Sequence, residues 1–212
     1  MPLQNRVDPF GKIIAIPQRG MYTGNRGIIH NDEQQIVKPF VLKAWITCAT
    51  HYKNFRRQVM TGRQWTELFF YDEATAFAAG HRPCAFCRNK DFKKFKALWL
   101  QANAGFYMGP DERMKSIDRY LHNERMMMQK EKQYETALLT ALPEGTMVAL
   151  NNDTTNAYLW YRGKLFLWTK DGYVETATEA AKMEVLVITP ASIVHTFRLG
   201  YMPVIHPSAA AF

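Results

Sequence analysis

The 212-residue chain contains little cysteine and no long apolar run. Its three cysteines are an odd number without repeated spacing, which argues against a disulfide scaffold and favours a reducing compartment, the cytoplasm. No segment approaches the roughly 18 consecutive apolar residues that a membrane-spanning helix needs, so we expect no membrane partner. The first ten residues also lack the apolar core of a secretory signal.

Signatures of familiar enzymes are missing as well. The sequence has no Walker phosphate loop, no dinucleotide fingerprint and no Ser–His–Asp pattern. The loop of residues 18–27 contains three glycines and two arginines, a composition that can bind an anion through backbone amides. A tight loop with solvated arginines is the alternative interpretation, because the pattern matches no known phosphate loop.

Positive charge is concentrated in the first half of the chain. Residues 1–110 carry 16 lysines and arginines against 7 acidic residues, a net charge of +9. Residues 111–212 carry 11 against 12, a net charge of −1, and the two halves sum to the formal +8. A basic excess on one side indicates an anionic partner, and nucleic acid is the commonest large one.

The patterns in the first two thirds of the chain predict an α+β fold. Residues 36–70 have the composition of a small antiparallel β unit, which leads into a Cys-x-x-Cys module. Residues 90–103 have the apolar period of a helix, and residues 114–142 predict a helical middle made of one long helix or two.

The last third of the sequence has a different pattern. Five short apolar segments separated by hairpin signals in residues 146–188 predict an antiparallel sheet or a partial barrel. A terminal helix follows, with Pro190 in its first turn. Because Gly109-Pro110 marks a boundary, the chain divides into residues 1–108 and 109–212, as two domains or as parts of one continuous domain.

The most specific stretch is Trp65–Cys87, WTELFFYDEATAFAAGHRPCAFC. It predicts a strand and then a short alanine-rich helix that is capped by Asp72 and closed by Gly80. The turn after this helix presents Cys84 and Cys87 on a fixed path. Two thiols at this spacing form half of a metal site or a redox pair, and unliganded structural cysteines are the third possibility.

The segment Ala-Ala-Gly-His-Arg-Pro-Cys-Ala-Phe-Cys, after Phe-Phe and the alanine-rich helix, resembles the second half of the Ada-type metal-binding domain. The resemblance covers about twenty of the 212 residues. It implies a zinc site and a role in DNA repair or DNA processing, since in that family four cysteines hold zinc and one accepts a methyl group from a DNA phosphotriester. Only Cys48 precedes the motif here, so this chain cannot form a four-thiolate site by itself.

A structural zinc ion needs about four nitrogen or sulfur ligands in a tetrahedron. Cys84 and Cys87 supply two, and Cys48 lies on a predicted strand that can neighbour them. The candidates for the fourth ligand are His51, His30 and His81. His51 has the familiar Cys-x-x-His spacing with Cys48, although residues three apart on a strand point to opposite faces.

The segment of residues 51–57, HYKNFRR, combines basic and aromatic side chains. Arginines beside aromatic rings are suited to base stacking and phosphate contact. An ordinary polar hairpin loop is the alternative.

Two classes of function remain open. The first is a nucleic-acid-binding protein, with DNA favoured over RNA, whose zinc module supports a basic surface. Its predicted phosphate contacts are Arg19, Arg26, Arg56, Arg57, Arg82, Arg88 and Lys90. The second is an enzyme that acts on a nucleotide or a nucleic acid. Its candidate catalytic residues are His122, Glu124 and Glu67, with Arg26 and His30 beside them. A pocket that gathers histidine and glutamate around a phosphate-sized space would favour the enzyme, and a flat basic surface would favour the binding protein.

Overall fold

The computed structural model describes residues 2–53, 58–62, 64–131, 134–150, 155–176 and 182–209. Within these ranges the chain forms two six-stranded sheets and four α-helices, so the predicted α+β class is confirmed. Among the described residues, no helix is both long enough and apolar enough to cross a bilayer.

The first sheet is built from the first half of the chain. Its strands are β1 (Arg6–Val7), β2 (Ile13–Ile14), β3 (Tyr22–Asn25), β4 (Ile46–Ala49), β5 (Leu68–Phe70) and β6 (Arg82–Pro83). They lie in the order β2-β1-β5-β3-β4-β6. The sheet is mixed and not wholly antiparallel as expected, because β1 pairs with β5, and β4 with β6, in parallel.

Helix α1 (Glu73–Ala78) begins and ends at the predicted residues. The Asp72 carboxylate accepts hydrogen bonds from the Thr75 backbone amide and hydroxyl, both at 2.8 Å. Gly80 follows the helix with φ +77°, the left-handed conformation that glycine adopts most easily. A Cβ atom at Gly80 would lie 2.7 Å from Cδ of Arg125, so both backbone and space favour glycine there.

The other helices are α2 (Asn89–Ala102), α3 (Met114–Glu131) and α4 (Ala191–Arg198). Their apolar faces meet α1 in one buried cluster, which contains Phe77, Phe95, Trp99, Ile117, Leu121, Ile193, Phe197 and Tyr201. Residues from both sides of position 108 therefore share this part of the core.

The second sheet is antiparallel throughout. It contains the five strands predicted for residues 146–188 and one further strand that precedes them in the chain. Its strands are β7 (Glu135–Leu138), β8 (Met147–Leu150), β9 (Tyr158–Tyr161), β10 (Lys164–Thr169), β11 (Gly172–Thr176) and β12 (Glu184–Val187), in the order β11-β10-β9-β8-β12-β7. Arg162 and Gly163, with φ +50° and +70°, form the two-residue turn between β9 and β10. Helix α4 packs on this sheet, since Val194 shares a buried cluster with Val148 and Val185.

The expectation that residues 114–142 are helical was wrong in its second half. Helix α3 ends at Glu131, and Glu135–Leu138 forms the edge strand β7. Its register places Glu135 opposite Val187 and Leu138 opposite Glu184. Pairing with β12 is a tertiary interaction, and residues 131–138 contain no glycine or proline to mark the change.

The segment after α4 returns to the start of α1. The Val204 amide donates to the Glu73 carboxylate at 2.9 Å, and the His206 amide donates to Asp72 at 3.1 Å. The His206 ring stacks on Tyr71 with centroids 4.1 Å apart. This return segment holds α1 between the two sheets.

Candidate metal centre

The parallel pairing of β4 and β6 brings the three cysteines together. Ile46 lies opposite Arg82 and Thr47 opposite Pro83, and the Cys84 amide continues this ladder by donating to the Thr47 carbonyl at 2.8 Å. Cys48 and Cys84 are therefore next to each other across the two chain segments. Their Sγ atoms and that of Cys87 all lie within 4.8 Å of one another. This three-cysteine group can hold a metal ion.

Hydrogen bonding within the three-cysteine group polarises its thiols. The thiols of Cys48 and Cys87, and then the backbone amides of Cys87 and Phe86, lower the pKa of Cys84 against the effect of burial. The Phe86 amide lies 3.4 Å from the Cys84 sulfur. The pKa of Cys48 is raised, chiefly because its thiol bonds to the other two sulfurs. A thiophilic cation bound between the three sulfurs would replace the thiol protons.

No histidine or carboxylate among the described residues completes the three-cysteine group to four ligands within this distance. His51 is exposed, and its Nδ1 atom lies 3.2 Å from the Thr50 hydroxyl. His30 is buried, with Nδ1 2.6 Å from the Thr66 hydroxyl. His81 accepts a 3.2 Å hydrogen bond from Arg26. The structure therefore does not place the predicted fourth ligand.

The two arginines that flank the cysteine loop are buried, which corrects their predicted role as surface phosphate contacts. Arg82 donates to both carboxylate oxygens of Asp118 on α3, at 2.9 and 2.8 Å. Arg88 forms a buried ion pair with Glu73 on α1 and donates to the Thr47 hydroxyl at 3.0 Å. Each guanidinium is bound to a carboxylate inside the protein. The two ion pairs therefore anchor the cysteine loop to α3 and α1.

Arg26 is also buried, so it too is unavailable as a surface phosphate contact. It donates to the Gly11 carbonyl at 3.0 Å, and its guanidinium carbon lies 3.8 Å from the centroid of the Trp45 ring. Arg125 stacks on the same ring at 3.9 Å. Burial, and then repulsion by Arg125, lower the pKa of Arg26 to about 9. These two cations belong to the core.

The remaining predicted phosphate contacts differ in their positions. Arg19 and Lys90 are exposed, whereas Arg56 and Arg57 lie outside the described residues. Of the five described members of the predicted basic surface, Arg19 and Lys90 are thus the ones that reach solvent.

Aromatic and basic side chains with solvent exposure lie close in sequence to the three cysteines. Phe86, between Cys84 and Cys87, is 71 % exposed. The ring of Tyr52 contacts it edge-on, with centroids 5.1 Å apart. The Lys53 ammonium lies 5.6 Å from the Tyr52 centroid and, like Lys90, its side chain is exposed. We refer to Tyr52, Lys53, Phe86 and Lys90 as the aromatic-basic surface.

The three candidate catalytic residues have separate structural partners. Glu67 accepts from the Met60 amide at 2.8 Å, and His122 Nδ1 accepts from Arg125 at 2.9 Å. Glu124 accepts from both the Ser192 amide, at 2.8 Å, and the Ser192 hydroxyl, at 2.6 Å. Glu124 therefore satisfies a free amide at the start of α4.

Glu124 also lines a cavity of about 300 Å³ between α3, β7 and α4. Glu135, His195 and Arg198 line it as well. No sequence signal singled out His195, because a histidine in the last turn of a helix is ordinarily explained by the helix dipole. Its distinguishing contact is with Asn103, the residue after α2, and depends on the tertiary fold.

No family model, curated protein or solved structure matches this chain. The likeness of residues 78–87 to the Ada-type domain therefore stays a prediction.

Proposed function

We propose that the protein binds nucleic acid at the aromatic-basic surface, and that zinc held by Cys48, Cys84 and Cys87 organises this surface. The observation that carries the proposal is the exposure of Phe86 within the loop that presents two of the three clustered sulfurs. An aromatic ring fixed at a metal-ordered loop is a platform on which an unpaired base can stack.

The donor set suits zinc. Thiolates bound at about 2.3 Å from a tetrahedral zinc ion lie about 3.8 Å from one another, which agrees with sulfurs gathered within 4.8 Å. The fourth ligand would be His51 or a solvent molecule, since His51 is exposed three residues after Cys48. Zinc would join β4 to the cysteine loop and replace the protons that the thiols share.

Charge supports an anionic partner for the same surface. Residues 1–110 carry a net charge of +9, and four of their lysines, at positions 53, 90, 93 and 94, are exposed near the cysteine loop and along α2. Lysine at such positions attracts phosphate through long-range electrostatics and releases condensed counterions. Resemblance to the Ada-type domain favours DNA and a role in its repair or processing.

Metal content is tested first, by native mass spectrometry of the purified chain. We expect one zinc ion per chain, and replacement of Cys84 by Ser should weaken zinc binding by at least about a hundredfold, since even residues beyond the ligands contribute 10- to 100-fold. Ala85→Ser, between the two cysteines, keeps all three thiols and serves as the control. A folded wild-type chain without metal would contradict the zinc assignment.

Binding is tested by titrating fluorescent single-stranded DNA, duplex DNA and single-stranded RNA at several salt concentrations. Phe86→Ala should weaken single-strand binding by roughly 1–3 kcal/mol, the contribution of one stacked base. Lys90→Ala should lower the slope of log K against log salt by roughly 0.7–0.9. Exposed residues away from the surface, Phe106 and Lys115, give the control variants Phe106→Ala and Lys115→Ala. Absence of binding at low salt, or equal effects of test and control variants, would reject the proposal.

A further inference from the structure

The cavity between α3, β7 and α4 has the size and mixed lining of a small-molecule site. Its volume is about 300 Å³, at the lower end of the range that ligand pockets occupy. Met127, Leu142 and Val194 contribute apolar wall. The nucleic-acid proposal makes no use of this cavity, whose lining residues come from the second half of the chain.

His195 is oriented in the cavity wall by Asn103. The Asn103 side-chain amide donates to the backbone carbonyls of Trp99, at 2.8 Å, and Ser192, at 3.0 Å. These two acceptors fix the direction of the amide, so its Oδ1 atom, 3.1 Å from His195 Nδ1, accepts a hydrogen bond from the N–H of that nitrogen. His195 Nε2 consequently carries a lone pair and, within the described part of the chain, accepts no hydrogen bond.

His195 is kept in its neutral form. Burial, and then the neighbouring charge of Arg198, lower its pKa. The Arg198 guanidinium itself is directed to the Ala141 carbonyl, with Nη2 3.4 Å from the oxygen. The imidazole therefore presents a hydrogen-bond acceptor to this site.

Two carboxylates add further acceptors. Glu124 is held in place by the Ser192 amide and hydroxyl, which occupy one lone pair on each oxygen and, among the described residues, leave the other available. Glu135 lines the same cavity from the exposed edge strand β7. Burial raises the pKa of Glu124, and the negative charge of Glu135 raises it further. Two like charges beside one cavity are stabilised by a cation between them.

We propose that this cavity binds a small organic ammonium ion. The ammonium group would lie by Glu124 and Glu135, with His195 Nε2 as a further acceptor, and the apolar part would pack against Met127, Leu142 and Val194. An ammonium group carries only hydrogen-bond donors, which matches the acceptors of Glu124, Glu135 and His195. Arg198, the cation among the described lining residues, donates to the Ala141 carbonyl.

The test uses three probes of nearly equal shape on the full chain: hexylammonium, 1-hexanol and hexanoate. Backbone amide NMR shifts locate binding, and imidazole nitrogen shifts report the His195 tautomer. We expect hexylammonium to shift resonances of α4 and β7 and to bind more tightly than hexanol, with hexanoate weakest. The free protein should show a proton on Nδ1 of His195.

Glu135→Gln should weaken hexylammonium binding about tenfold, the order of one charge-assisted hydrogen bond. Glu184→Gln is the matched control, because Glu184 is an exposed glutamate at the far end of the same strand pair. Equal or tighter binding of hexanoate, absence of shifts at the cavity, or equal weakening by both variants would overturn the proposal. The probe order in the wild-type protein decides the outcome even if Glu135→Gln fails to fold.

Discussion

The Tyr173 hydroxyl donates a 2.9 Å hydrogen bond to the Asp72 carboxylate, which joins β11 to the N-cap of α1. Both side chains are buried. Tyr173→Phe should lower the free energy of unfolding by about 1.5–3 kcal/mol, because a buried carboxylate loses one of its donors. Urea denaturation measures the loss. Tyr161→Phe is the control, since the Tyr161 hydroxyl bonds to no described residue, and its effect should stay within about 0.5 kcal/mol.

The ion pair of Arg82 with Asp118 should contribute far more than an exposed pair when one partner is removed. Asp118→Asn should cost about 3–5 kcal/mol of unfolding free energy, because it leaves a buried guanidinium without its counter-charge. Asp111→Asn tests the pair with Arg113, whose side chain is 84 % exposed, and should cost far less, because solvent screens that pair. Denaturant titration of both variants gives the comparison, and similar losses would contradict the structural role of Arg82.

Two effects should disfavour any larger residue at Gly80: its left-handed backbone conformation and the lack of space for a side chain. Comparison with Gly163 separates these effects. Gly163 has a similar φ of +70° but no atom within 4 Å of a Cβ atom built there. Gly163→Ala should therefore show only the cost of a left-handed alanine, about 1–2 kcal/mol. Gly80→Ala should cost more, because the new methyl group would displace Arg125 from its bond to the Gly80 carbonyl. Thermal unfolding measures both, and equal losses would rule out the steric contribution.

Burial of His81 predicts a loss of stability in mild acid. Burial, and then the charges of Arg26 and Arg125, lower the pKa of His81 well below its usual value. As pH falls below about 6.5, His81 becomes protonated in the unfolded chain but stays neutral in the folded chain. The free energy of unfolding therefore declines with a slope of up to about 1.4 kcal/mol per pH unit. Above that pH the contribution is fully present.

His81→Gln should make this pH dependence shallower, since glutamine can accept the Arg26 hydrogen bond without titrating. The measurement is the free energy of unfolding of both proteins between pH 7 and pH 5. The difference between their slopes removes the effects of groups that the two proteins share. Parallel curves would show that His81 does not control acid stability.

Local sequence signals predicted the elements that depend on neighbouring residues. Asp72 and Gly80 fix α1 through backbone chemistry that the sequence displays directly, and the turn residues at 162–163 fix the β9–β10 hairpin. The membership of Cys48 in the group with Cys84 and Cys87 was also predicted, because it is the one other cysteine in the sequence, although the β4–β6 pairing that brings it there is a tertiary contact.

Features that depend on distant partners could not be predicted in this way. From the sequence, Arg82 and Arg88 were predicted to be surface cations. Their burial depends on the ion pairs with Asp118 and Glu73, which only the fold reveals. Strand β7 forms because β12 offers it an edge, and the orientation of His195 depends on Asn103, 92 residues earlier in the chain. Clustering of charge in the sequence overstated the exposed basic surface, since three of the predicted phosphate contacts are internal.

The return segment has a consequence for the order of events at the ribosome. The Val204 and His206 amides reach carboxylates that lie 131 and 134 residues earlier. While the intervening chain is being synthesised, Asp72 and Glu73 lack these two donors, and water or transient contacts bind their carboxylate oxygens. The first sheet can assemble early, but α1 acquires its final hydrogen bonds only after residues 204–206 have emerged, long after α1 itself.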